Sequence, residues 1–220
     1  MGSVRSVALV LCIAAFAGGS AAHAADGPYA SLLAPSGVCG PAAEQLGLDA
    51  ATAQQTMLCL TNYARAQSGL PALTLNMTLT SAGAAKLAAD LSCGEFTHTP
   101  CGQPFDAVFA DYTRGTAGYQ IGENIAWGTG AYGTPRQTMA AWLASDGHRE
   151  NILTGAFREL GVGYLSNQTF EGYSGATLWS QQFGVRSASS APAAPKPPTA
   201  KLAPKKKPLP RKKRRRHLTG

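Results

Sequence analysis

The sequence predicts an α+β layered domain. Helix-periodic segments dominate residues 50–145, while segments of β character joined by glycine-rich turns dominate the later part of the chain. Setting aside the two ends described below leaves about 160 residues, enough for one domain with one core.

The first helix is expected over residues 50–67, "AATAQQTMLCLTNYARAQ". Met57, Leu60 and Ala64 fall at helical spacing there, and Gly69 and Pro71 supply a stop. A second, residues 78–91, aligns Ala84, Leu87, Ala88 and Leu91, and a third, residues 104–112, aligns Phe105, Val108, Phe109 and Tyr112. The fourth, residues 134–145, has Thr134 to cap, Pro135 for the first turn, and Met139, Trp142 and Leu143 for the buried face. Strands are expected in "YQIGENIAW", "ELGVGYL" and "ATLWSQQFGV", with a longer connection over residues 166–175.

Both ends differ from this middle. Residues 1–25 read as an export signal, with Arg5, the apolar run "VALVLCIAAFAGG" and the small-residue cleavage site "AHA". Residues 26–51 form an N-terminal extension of the mature chain. Residues 188–220 are Pro-, Lys- and Arg-rich with almost no large apolar residues, the composition of an extended linker ending in a basic cluster. Charge follows the same division. Residues 26–187 hold seven Lys/Arg against all twelve Asp/Glu, whereas residues 188–220 hold eleven Lys/Arg and no acid. The formal +7 is therefore a property of the tail. Behind an export signal, the cluster at residues 205–216 is expected to meet an anionic envelope or extracellular polymer rather than a dedicated nucleic acid.

Cys12 leaves with the signal, so four cysteines remain: Cys39, Cys59, Cys93 and Cys101. In an oxidising compartment they read as two disulfides. Three pairings are formally open; the sequence-local one, Cys39 with Cys59 and Cys93 with Cys101, is favoured. The competing zinc-finger reading lacks a C-x-x-C pair.

Two histidines lie in the middle region. His98 stands in "FTHTPCG", on a loop that Cys93 and Cys101 would staple, and His148 in "SDGHRENIL", directly after the fourth helix. Glu123, in "GYQIGENIAWGTG", is the one carboxylate of an otherwise uncharged run. On a strand edge it could accept from an imidazole, ligate a divalent cation, or serve as base towards water. Equally, Glu123 and Asn124 could tie neighbouring loops by hydrogen bonds. "GTGAYG" matches G-x-G-x-x-G, but lacks the βαβ unit and following acid that a dinucleotide site needs. No G-x-S-x-G nucleophile motif is present.

"LTNYARAQSGLPALTLNMTLTSAGAAKLAADL", then "HT", "GENIAWG", "AAWLASDGHRENIL", "FRELGVGYL" and "LWSQQFG" resemble, in order and spacing, the CAP superfamily of SCP-like extracellular proteins, most closely its bacterial branch. The resemblance spans about residues 52–185, within a domain bounded at 52–187. It implies an α-β-α sandwich with a central antiparallel sheet between helical layers. It also implies a cleft lined by histidines and acids that in some members holds a divalent metal such as zinc. Carried over by motif, His98, Glu123 and His148 become the cleft and candidate metal residues, with Asp146 standing in for a second acid and Asn124 and Gln181 as supports. The chain departs from the plant and animal pattern, because "LWSQQF" lacks their second histidine.

The expected function is that of a secreted protein, extracellular or periplasmic, acting by binding, with a lipid or sterol among the ligands the resemblance suggests. No cofactor is required on this reading. The alternatives are a metal-assisted hydrolase built on His98, Glu123 and His148, and adhesion to anionic polymers through the tail.

Overall fold

The computed structural model describes residues 28–187; the expected signal at residues 1–25 and the basic tail at residues 188–220 lie outside them. Helix α1 (Ala50–Gln67) starts where Asp49 accepts from the Thr52 amide at 2.9 Å, so a short acid satisfies an otherwise unpaired helix donor. Strand β1 (Thr74–Leu75) follows, then α2 (Met77–Cys93), capped by Asn76 and ended by Gly94 in the left-handed region at φ 64°. Asn76 is fully engaged: Oδ1 takes the Thr78 and Leu79 amides, and Nδ2 donates to Glu159 Oε1 at 2.7 Å.

The third expected helix is shorter than its periodicity suggests. A 3₁₀ turn, Ala107–Phe109, leads into a four-residue helix, α3 (Ala110–Thr113). So short a helix draws its stability from packing, here Phe109 and Tyr112 against Leu79. Strand β2 (Gly118–Thr129) precedes α4 (Pro135–Ala144), which begins with the Thr134 cap and Pro135. The chain then turns extended at Ser145 and starts a separate helix, α5 (Asp146–Leu153). His148 thus follows the fourth helix as expected, but stands inside a further helix rather than on a loop. Gly147 and a single buried apolar residue, Ile152, left that helix without a periodic signal.

Strands β3 (Glu159–Phe170) and β4 (Tyr173–Ser187) complete a sheet in the order β1-β3-β4-β2. The three long strands are antiparallel, and the two-residue β1 pairs parallel with β3, so the sheet is mixed. The connection expected over residues 166–175 is a hairpin instead. Phe170 pairs with Tyr173 across Glu171 and Gly172, both at positive φ, as a primed two-residue turn requires. Register shifts flank Gln168, and that irregularity hides the strand alternation in the sequence.

Side chains alternate across the sheet and build two helical layers. Leu160, Val162, Trp179 and Phe183 pack with Met57 and Leu60 of α1 and with Met139, Trp142 and Leu143 of α4. On the other face, α2 lies almost directly on the backbone of β3. A methyl group on Gly161 would collide with the Leu79 carbonyl carbon and the Thr80 nitrogen, and one on Gly163 would sit 2.5 Å from the Gly83 carbonyl carbon. These are main-chain atoms that no rotamer change can move aside.

Arg65 locks the first layer from inside. It is fully buried and donates to the carbonyls of Pro71 (2.9 Å), Ile152 (2.8 Å), Thr154 (2.9 Å) and Phe157 (3.3 Å). Burial, then the charge of Arg158, lowers its pKa. The guanidinium thereby fixes the end of α5 and the entry to β3 relative to α1. The disulfide Cys39–Cys59 ties the N-terminal extension to α1, with Cα atoms 5.7 Å apart.

Because the α2–sheet contact is backbone on backbone, Gly161→Ala should lower stability by about 3 kcal/mol. Gly147→Ala, whose methyl meets nothing within 4 Å, should be neutral or slightly stabilising. Urea midpoints of the two variants measure both effects.

Candidate functional site

Strand β2 is an edge strand, so elements from both layers reach it. Its residues divide by parity. Ile121 packs with Leu79, Phe109 and Tyr112, and Trp127 with the cluster around Leu87, on the α2 side. Ala126 packs with the α1 and α4 core on the other side. Glu123 therefore points towards α2 and Asn124 towards α5.

Behind Glu123 the sheet supplies a fixed donor. Gln182 is its cross-strand partner in β4, and Gln182 Nε2 donates to Glu123 Oε2 at 2.8 Å. In front, His98 Nδ1 lies 2.6 Å from Glu123 Oε1. The Glu123 side chain is fully buried, whereas that of His98 is 22% exposed. A buried carboxylate thus orients a surface-reaching imidazole by accepting from Nδ1, which leaves Nε2 directed away from it. The segment bearing His98 is closed by the disulfide Cys93–Cys101, Cα atoms 5.6 Å apart, and its Glu95 carboxylate accepts the Cys101 amide at 3.1 Å.

On the other side of β2, Asn124 joins β4 to α5. Its Nδ2 donates to Gln181 Oε1 at 2.9 Å and to the His148 carbonyl at 3.1 Å. Asn151 Nδ2 returns to Asn124 Oδ1 at 2.9 Å and to the Glu123 carbonyl at 3.0 Å. Gln181 Nε2 continues to Thr61 Oγ1 at 2.8 Å, so α1, α5, β2 and β4 share one buried network. The backbone carbonyl of His148, rather than its ring, enters this network. Burial, then the charge of His98, pushes the His148 imidazole down to about 4.

Of the residues singled out in the sequence, the structure brings together His98 and Glu123 and pairs Asn124 of β2 with Gln181 of β4 on the opposite face of the sheet. Asp146 lies elsewhere: its side chain is 90% exposed and pairs with Arg149. Helical geometry explains its place, since the first turn of α5 turns Asp146 outward while Asn151 and Ile152 turn inward. Sequence reasoning missed Gln182 and Asn151. The dipeptide Gln181-Gln182 on a strand was the available signal, because adjacent strand residues must face opposite layers.

The metal site implied by the resemblance requires three converging donors. Both Glu123 oxygens already have internal partners, and among the described residues no group of three His, Cys, Asp or Glu side chains forms a metal-holding cluster. The donor set present does not fit a three-residue zinc site.

His148 yields a pH prediction. Its pKa is lowered in the fold, so on acidification the unfolded chain takes up the proton first; stability is full above about 6.5 and is lost progressively towards pH 4. Roughly 3 kcal/mol of acid destabilisation should therefore separate the wild type from His148→Gln across that window, read from urea midpoints at each pH.

A family model described as CAP, the cysteine-rich secretory protein family, matches residues 58–183. The uncharacterized protein YkwD of Bacillus subtilis (strain 168) is 36% identical over 126 residues, covering 56% of this chain and 44% of that protein. The chain thus spans less than half the length of that relative. Among solved structures, an outer surface protein of Borrelia burgdorferi superposes with a TM-score of 0.53 at 18% identity, over 63% of this chain and 96% of that one. An extracellular SCP-domain protein of Bacillus anthracis str. Ames gives a TM-score of 0.48 at 22% identity, over 63% and 44%. With the matched region covering more than half of its residues, from α1 to β4, the chain belongs to the CAP family of cysteine-rich secretory proteins.

Proposed function

We propose that this domain works by binding, outside the cytoplasm, and that the His98–Glu123 pair is its recognition centre. One observation carries the reading. The carboxylate is buried with both oxygens used internally, while the imidazole it orients reaches the surface. Such a pair is pre-organised to offer Nε2 to a ligand hydroxyl or amine, with little ordering left to do on binding. A hydroxyl-bearing lipid or sterol is the ligand class that the family suggests and that this chemistry accommodates.

Placement at the envelope or in the extracellular space is supported by the export-type first 25 residues, by membership of a family described as secretory, and by the outer-surface description of the Borrelia neighbour. Among the described residues, no helix is long and apolar enough to cross a membrane. The basic cluster at residues 205–216 would add electrostatic retention on an anionic polymer, a sequence-independent and salt-sensitive attraction. Metal-assisted hydrolysis has less support, because both Glu123 oxygens are already engaged, by His98 and by Gln182, on a fully buried side chain.

Native mass spectrometry of the exported protein beside a His98→Ala variant tests the proposal. A small-molecule adduct present in the wild type and lost in the variant is expected. An adduct retained by the variant, or two bare masses after incubation with sterol-containing vesicles, would overturn it.

A further inference from the structure

The residue before His98 is held from within the fold. Lys86 Nζ donates to the Thr97 carbonyl and, at 2.6 Å, to Asp90 Oδ1 one turn further along α2. Both side chains are buried, at 1% and 0% exposure. Burial raises the Asp90 pKa to about 6 against the hydrogen bond and charge of Lys86; the charge of Glu123 adds to the rise and the Thr97 amide opposes it. Asp90 therefore lies within electrostatic reach of both the His98 segment and its acid. Among the described residues, its second oxygen, Oδ2, has no partner within ordinary hydrogen-bond distance.

Stability alone does not explain such a pair. Taking two charges out of water costs more than a well-packed apolar pair would, and that cost is increased when one carboxylate oxygen stays unpaired. What distinguishes the pair from the apolar residues around it, Leu87 and Leu91, is the hydrogen bond that Lys86, itself held by Asp90, donates to one peptide carbonyl. That group is the one preceding His98. The disulfide Cys93–Cys101 limits how far the segment can stray, but does not itself fix the φ and ψ angles that set the Thr97–His98 peptide plane. Lys86 removes that freedom by fixing the carbonyl, and with it the direction in which the His98 ring leaves the backbone.

We infer that Lys86 and Asp90 are positioning residues for His98: their buried ion pair fixes the Thr97 peptide and so determines which imidazole nitrogen meets Glu123 and which faces a ligand. The inference deepens the binding reading, on which its functional meaning rests, but its test needs no ligand.

The test is the tautomer of His98, read from long-range proton–nitrogen correlations of the 15N-labelled mature protein at about pH 8.5, where an ordinary histidine is neutral. In the wild type, His98 should carry its proton on Nδ1, held on Glu123. In Lys86→Met/Asp90→Leu, which strands no lone charge, the tautomer ratio should shift roughly five-fold or more towards the Nε2–H form. Leu87→Ala, which loosens the same helix and its packing on Phe96 but leaves the Lys86–Thr97 hydrogen bond in place, should leave the ratio unchanged, and Lys86→Arg, which keeps a donor for the carbonyl, should retain it. If the double variant does not fold, Asp90→Asn decides, with a smaller shift in the same direction expected. A wild-type tautomer in Lys86→Met/Asp90→Leu, or in Asp90→Asn where that variant replaces it, or an equal change in Leu87→Ala, would overturn the inference. Failure here with a His98-dependent adduct intact would leave the binding reading standing, and the converse would leave the positioning role standing.

Discussion

The contact on which the rest of this fold depends is the seating of α2 on the backbone of β3, glycine against glycine. Gly161 and Gly163 offer no side chains, Gly83 offers none in return, and the helix descends until main chain meets main chain. That depth sets everything at the far end of α2. It brings Lys86 and Asp90 under the segment that follows the helix, and it brings that segment over the open edge of β2, where Glu123 waits. Side chains larger than hydrogen at either glycine of β3 would lift α2 and carry His98 away with it.

The second layer approaches the same edge by a different device. Among the described residues Arg65 has no carboxylate partner; its guanidinium directs its donors to carbonyls that close α5 and lead into β3. This places Asn151 against Asn124 and sets His148 near enough for its charge and that of His98 to oppose each other. The two histidines thus arrive from opposite layers, with β2 between them. A neutral His148 beside a His98 bound to a buried acid gives the site one imidazole tied to a carboxylate and one kept uncharged by burial. An asymmetry of this kind suits recognition of a polar group at a fixed position.

Much of this was legible in the amino-acid sequence wherever local chemistry and global packing agreed. Thr134 and Pro135 announced α4, the period of Met57, Leu60 and Ala64 announced α1, and the two cysteine pairs that form are the sequence-local ones. What stayed hidden has physical causes. Helix α5 carries a glycine and one buried apolar residue, so no apolar stripe marks it. Strand β1 is two residues long, and its parallel partner lies more than eighty positions away. The partners of Glu123 were half visible: His98 stood out as a rare residue on a stapled loop, whereas Gln182 gained its role only through a cross-strand register that no local pattern encodes. Lys86 and Asp90 were masked by habit, since an i, i+4 ion pair on a helix normally belongs to solvent.

The claim that ties sequence, fold and function together is that His98 and Glu123 act as one unit. A double-mutant cycle with His98→Ala, Glu123→Gln and their combination, followed by chemical denaturation near neutral pH, tests it most directly. A coupling energy of about 1–3 kcal/mol is expected for a hydrogen bond to a buried charged group. Additivity within about 0.5 kcal/mol would contradict the account, leaving the two residues as neighbours that share a cleft without sharing a function.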